Sequence, residues 1–169
     1  MRGDCELYYI LTMDRTIDVT GPSHGNDELQ IIVWEKRYDT NIPLIDNQHK
    51  EFVNLINHLH HSCTGGESVG AAFKDAMSRL VNYVHFHFKT EMQVMEKIKF
   101  PGIKEHSEQH DSLVKDILEA ANDYRAGKRF VPHNFVRTLR DWVLGHIALY
   151  DKRYADYILD LKKKGMLPS

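Results

Sequence analysis

The strongest constraint on how this chain folds is a set of imidazole and carboxylate side chains that recur on otherwise apolar helical faces. After Pro43, residues Ile45, His49, Phe52, Ile56 and Leu59 keep the three-and-four spacing of an amphipathic helix, which the Thr64-Gly65-Gly66 cluster ends. A second face runs through Phe73, Met77, Leu80, Val84, His87, Glu91, Val94 or Met95, and Ile98 until Pro101-Gly102 interrupts it. At helical rise its roughly thirty residues span roughly 45 Å. A third helix is expected to begin near Pro101, repeat at Ile103, His106, His110, Leu113, Ile117, Ala121 and Tyr124, and stop at Gly127. The fourth starts after Pro132 and carries Phe135, Leu139, Trp142, Val143, His146, Ile147 and Tyr150, continuing through Tyr154 and Ile158 toward Lys162-Lys163-Lys164. Cations suit that end of a helix. Four such faces must bury against one another, so the expected fold is all-α, an up-down-up-down four-helix bundle.

Leu, Ile, Val and Ala would normally fill these faces, because an unpaired imidazole or carboxylate in a core is costly. Here every face breaks that rule. Spacing decides which of the polar residues can act together. His87 and Glu91 are four apart, hence about 40° apart around a helix, and so are His106 and His110. Each pair can point at one place. His85, two residues from His87 and six from Glu91, faces elsewhere and is excluded from the set. His146 and Asp151 are five apart, about 140° on an ideal helix, so both reach one centre only with a local distortion. Neutral imidazoles and ionised carboxylates buried together satisfy one another by coordinating cations. Five imidazoles with two carboxylates exceed what one closed tetrahedral site takes, and two metals fit better.

Composition removes several other function classes. With 169 residues and 42% apolar content, the chain is sized for a single core. Its formal charge is −2, from 22 Lys and Arg against 24 Asp and Glu, without the basic excess that nucleic-acid binding requires. No apolar run reaches the roughly 20 residues of a membrane span, and Asp4, Glu6 and Asp14 fall where a signal peptide needs an uncharged core. The two cysteines, Cys5 and Cys63, form no CxxC pair. A reducing, cytoplasmic location is therefore expected. Residues 1–30, with an apolar piece from Leu7 to Leu11 and loop chemistry from Thr20 to Asp27, read as an N-terminal extension; the bundle occupies 31–169.

The residues Ile45-Asp46-Asn47-Gln48-His49-Lys50, the run His87-Phe88-Lys89-Thr90-Glu91, the His106 and His110 pair, and Trp142-Val143-Leu144-Gly145-His146-Ile147 with Asp151 together resemble the hemerythrins, most closely the bacterial ones. The resemblance spans roughly Trp34 to Leu161, and every position of the family's ligand set has a matching residue. It implies two iron ions, with His106, His110 and His146 on one and His49 and His87 on the other. Glu91 and Asp151 would bridge them together with a solvent-derived oxo or hydroxo group. Counting ligands leaves the open position on the iron of His49 and His87, where a small ligand would bind end-on. Phe52, Phe88, Trp142, Val143 and Ile147 would wall the pocket around it. The implied function is reversible binding of dioxygen, for carriage, storage or delivery, rather than enzymatic turnover. The Glu-x-x-His pairs of carboxylate-rich oxygen-activating sites are absent from these faces.

Two other readings use the same ligands: an oxygen or redox sensor that signals to a protein partner, and an oxidase, peroxidase or nitric-oxide-handling enzyme. Asp46 reads as a first-turn helix residue. His58, His60 and His61 near the end of the first helix, and His133 in a loop, read as surface residues.

Overall fold

The computed structural model describes residues 30–63, 69–126 and 131–167. The extension expected over 1–30 lies outside these except for its last residue, as do Thr64-Gly65-Gly66 and Gly127. A 3-10 turn at Lys36–Tyr38 precedes helices α1 (Pro43–Ser62), α2 (Val69–Lys97), α3 (Ile103–Arg125) and α4 (Pro132–His146). A π-helical turn, Ile147–Asp151, then joins α4 directly to α5 (Lys152–Lys163). The long fourth rod of the bundle is thus α4, the π turn and α5 in succession. Helix α1 packs on α2 and α4, and α3 packs on the same two, which closes the expected four-helix bundle. No described helix is long and apolar enough to cross a membrane.

Local chemistry sets the helix ends. Pro43 opens α1, where its missing N–H costs nothing. Asp46, in the first turn, ties down the chain before the helix: its Oδ1 accepts from the Thr40 N–H at 2.6 Å and the Thr40 hydroxyl at 2.8 Å, and its Oδ2 from the Asn41 N–H at 3.1 Å. Farther along α1, the Asn57 side chain accepts from the Ile31 and Ile32 N–H groups and donates to the Ile32 carbonyl. These two anchors hold residues 31–41 against the bundle. Pro101 does not start α3 as the sequence indicates; it lies in the turn, and Gly102 is the N-cap. A Cβ at Gly102 would come within 2.7 Å of the Phe100 ring, so the turn requires glycine there.

Two apolar clusters form the core. One contains Phe52, Ile56, Leu59, Phe73, Leu80, Leu113, Val136 and Leu139; the other contains Ile42, Ile45, Val94, Met95, Ile98, Tyr154 and Ile158. Along each rod the switch from one cluster to the other falls at the polar residues. The bundle therefore holds a buried polar layer between two dry ends.

Candidate metal centre

Seven polar side chains make up that layer: His49, His87, Glu91, His106, His110, His146 and Asp151, each no more than 5% exposed. His49 comes from α1, His87 and Glu91 from α2, His106 and His110 from α3, and His146 and Asp151 flank the π turn of the fourth rod. On an ideal α-helix that last pair would diverge. The Lys152 N–H instead bonds back to the carbonyl of Ile147, five residues earlier, so one turn in this segment takes about five residues and brings Asp151 back under His146. Their Nε2 and Oδ1 atoms are 3.0 Å apart. A distortion expected from spacing thus has a specific form.

The ligand-type atoms fall into two groups that share Glu91. Glu91, His106, His110 and His146 offer atoms within 4.8 Å of one another, and so do His49, His87 and Glu91. In the first group, His110 Nε2 is 3.0 Å from His106 Nε2 and 3.1 Å from His146 Nε2. Adjacent nitrogens on one metal, each about 2.1 Å from it at right angles, are about 3 Å apart. The two carboxylates straddle the groups. Asp151 Oδ2 lies 3.0 Å from His49 Nε2, while its Oδ1 lies 3.0 Å from His146 and 3.5 Å from His106. Glu91 turns Oε1 toward His49 at 3.7 Å and Oε2 toward His110 at 3.0 Å.

Proton chemistry supports a cation here. Burial raises the Glu91 carboxyl, but His87, His106, His110 and His49 outweigh it and hold the group well below the usual carboxylate range. Asp151 is likewise pushed up by burial and by Glu91, then held low by His146 and His49. Burial pulls His87 down to about 3. It opposes protonation of His49 as well, yet Asp151 and Glu91 carry that imidazole up to about 9. Two carboxylates are therefore ionised beside one imidazole, His49, that holds a proton at neutral pH and another, His87, that does not. Both Asp151 oxygens and both His49 nitrogens are buried without a hydrogen bond, although His49 Nε2 and Asp151 Oδ2 are 3.0 Å apart. Close atoms that are not aligned as donor and acceptor are what ligands of shared cations look like. The donor set fits a two-metal site.

A family model, the Hemerythrin HHE cation binding domain, matches residues 40–158. The chain belongs to the hemerythrin family. It is 32% identical over 128 residues to the bacteriohemerythrin of Methylococcus capsulatus, covering 75% of this chain and 95% of the relative. Against the bacteriohemerythrin of Pseudomonas aeruginosa strain PAO1 the identity is 32%, with 75% and 81% covered. A hemerythrin-like protein of Naegleria gruberi is 26% identical, over 72% of this chain and 88% of that one. A crystal structure of wild-type hemerythrin superposes with a TM-score of 0.70 at 29% identity, covering 75% of this chain and 96% of that one.

Within this hemerythrin, aromatic rings hold the imidazoles in place. Phe88 stacks on His110, with centroids 3.5 Å apart and planes within 1°. Trp142 and Tyr150 lie on either side of His146 in sequence and both stack on it, at 4.4 Å and 5.4 Å. Of the expected pocket walls, Phe52 lies edge-on to His87 at 5.9 Å, whereas Phe88 and Trp142 cover the His110 and His146 side. Val143 and Ile147 are buried in the same apolar cluster as Phe52. His85 is exposed, away from the layer. His133 is not in a loop but in the first turn of α4, half-buried with its ring 5.7 Å from that of His60.

Sequence reasoning missed three contributors. The Tyr154 hydroxyl donates to Glu91 Oε1 at 2.8 Å, although the spacing marks Tyr154 only as an apolar position. Gln48 bonds His87, and Trp34 lies 6.2 Å from His49. A tyrosine in register with the polar residues was the one available signal, since its hydroxyl needs a partner when buried.

Proposed function

We propose that this chain is a non-haem di-iron protein that binds dioxygen reversibly. His106, His110 and His146 would hold one iron, His49 and His87 the other, with Glu91 and Asp151 bridging. The observation that carries this reading is the division of the Asp151 oxygens, one toward His49 and one toward His146, in a carboxylate with no exposed surface. When bound, the iron pair supplies the electrons that dioxygen takes up and returns. The chain supplies the rest. Three imidazoles on one side and two on the other leave the His49 and His87 side one donor short. Phe52, edge-on to His87, and Val143 and Ile147 of the same buried cluster would keep bulk water from that side. Tyr154 occupies Oε1 of Glu91 and sets the orientation of that carboxylate.

The test is visible absorption of the iron-loaded, anaerobically reduced protein while dioxygen is admitted and then removed. A band that appears with dioxygen and vanishes on its removal is expected. Prompt, irreversible conversion to an oxidised spectrum would overturn reversible carriage and favour redox sensing or oxidase chemistry.

Sensing has a structural observation of its own. Trp34 lies over His49, and the Lys36–Tyr38 turn packs against the π turn that leads to Asp151. The segment that leads back to residues 1–29 thus lies beside His49 and beside the turn that carries Asp151. Oxygen binding that survives deletion of residues 1–29, with loss of a partner interaction, would favour that second reading.

A further inference from the structure

His87 differs from the other four imidazoles of the layer. The Nδ1 atoms of His49, His106, His110 and His146 are buried without a hydrogen-bond partner among the described residues. His87 Nδ1 has one, Gln48 Oε1, at 3.0 Å. Which way that amide points is decided one step farther out. The Thr90 hydroxyl donates to the Phe86 carbonyl, four residues back on its own helix, at 3.0 Å. Its single proton is thereby committed, and the oxygen is left to accept. The Gln48 Nε2 group donates to it at 3.4 Å. A flipped amide would place two acceptors together at Thr90 or cost it the bond to the Phe86 carbonyl, which favours the carbonyl oxygen facing the imidazole. The Gln48 backbone is held as well, since the Tyr83 hydroxyl donates to its carbonyl at 3.0 Å.

This chain of donors and acceptors ends on the metal site. Gln48 Oε1 can only accept, so the His87 proton sits on Nδ1 and the Nε2 lone pair faces inward. The Glu91 oxygen nearest that nitrogen is 3.8 Å away, beyond hydrogen-bond range, so that carboxylate does not draw the proton to Nε2.

We propose that Gln48, oriented by Thr90, is a positioning residue that presets His87 in its metal-ready tautomer and tunes that half of the centre. The inference rests on the two-metal reading above. A neutral amide leaves the imidazole a weaker electron donor than a carboxylate partner would. His87 is then ready before any metal arrives, whereas the other four rings gain their orientation from packing and from the ions themselves.

The test begins with metal-free, histidine-15N-labelled protein, in which two-bond 15N–1H correlations report each tautomer. Wild type is expected to show one slowly exchanging Nδ1–H imidazole that Gln48→Leu abolishes. Thr90→Val should lose it and Thr90→Ser restore it, a rescue that a purely packing role would not require. Fe2+ retention against a chelator should weaken about tenfold in Thr90→Val and recover in Thr90→Ser. Gln48→Glu should keep the tautomer and lower the reduction potential of the loaded centre. A His87 proton on Nε2, or a tautomer unchanged in both Gln48→Leu and Thr90→Val, would overturn the proposal even if the chain binds two metals. An Nδ1–H tautomer that depends on Thr90 in a chain that takes up no metal would instead overturn the reading of the site.

Discussion

Glu91 is the residue on which the two halves of the layer depend, because its two oxygens face different imidazole groups and its burial leaves no solvent to replace them. Glu91→Ala is therefore expected to lose iron or its two-metal stoichiometry, measured by metal analysis; full loading would contradict a bridging role. His85→Ala, on the exposed face of the same helix, should keep full loading. Protonation belongs to this scale too. In the metal-free protein His49 is held at about 9, so at pH 7 it carries a proton that a metal must displace. Metal uptake at pH 7 should release about one proton per chain, read from the buffer dependence of the binding heat. His87 works the other way. Its folded value of about 3 lies below the ordinary histidine value of about 6.5, so its contribution to stability is complete above pH 6.5 and is lost as pH falls toward 3. The depressed Glu91 and Asp151 add to that acid-side loss. The stability that His49 adds is complete below about 6.5 and is lost as pH rises through 9. The metal-free thermal midpoint should accordingly peak near neutrality and fall on both sides.

Among the elements, the π turn determines whether Asp151 reaches the site at all. Inserting one alanine after the exposed Ala148 would place Asp151 six residues beyond His146, one more than the π turn takes up. Asp151 and every residue of α5 beyond it would then rotate about 100° around the rod. Tyr154 and Ile158 would leave the core. The expected result is lost metal stoichiometry together with a lower thermal midpoint, and a variant with unchanged loading would show that the turn has no positioning role. The segment before α1 has a comparable dependence on a few side chains. Asp46 accepts three hydrogen bonds from Thr40 and Asn41, so Asp46→Ala strands buried donors and should cost about 1–3 kcal/mol in denaturant unfolding.

For the whole molecule, the bundle places a buried polar layer between two dry clusters, so stability and loading should separate by position. Leu80→Ala, fully buried in the cluster away from α5, should destabilise by about 2–5 kcal/mol while metal stoichiometry is kept. The four helices and the seven polar positions were legible from the chain alone, because helical periodicity is a local property and a buried imidazole stands out on an apolar face. His133 was misplaced and Pro101 misread because helix starts depend on turn geometry, here the close approach of Gly102 to Phe100. Periodicity also marked His146 and Asp151 as out of phase, without saying what form the distortion takes. That form is a backbone hydrogen-bond shift, which brings Oδ1 of Asp151 to 3.0 Å from Nε2 of His146. Gln48, Thr90 and Tyr154 could not be read as partners of the layer from their positions in the chain, since Gln48 and Thr90 are 42 residues apart and Tyr154 and Glu91 are 63 apart. Local order in the chain decides which faces are buried; which buried donor meets which acceptor is decided only when the helices pack.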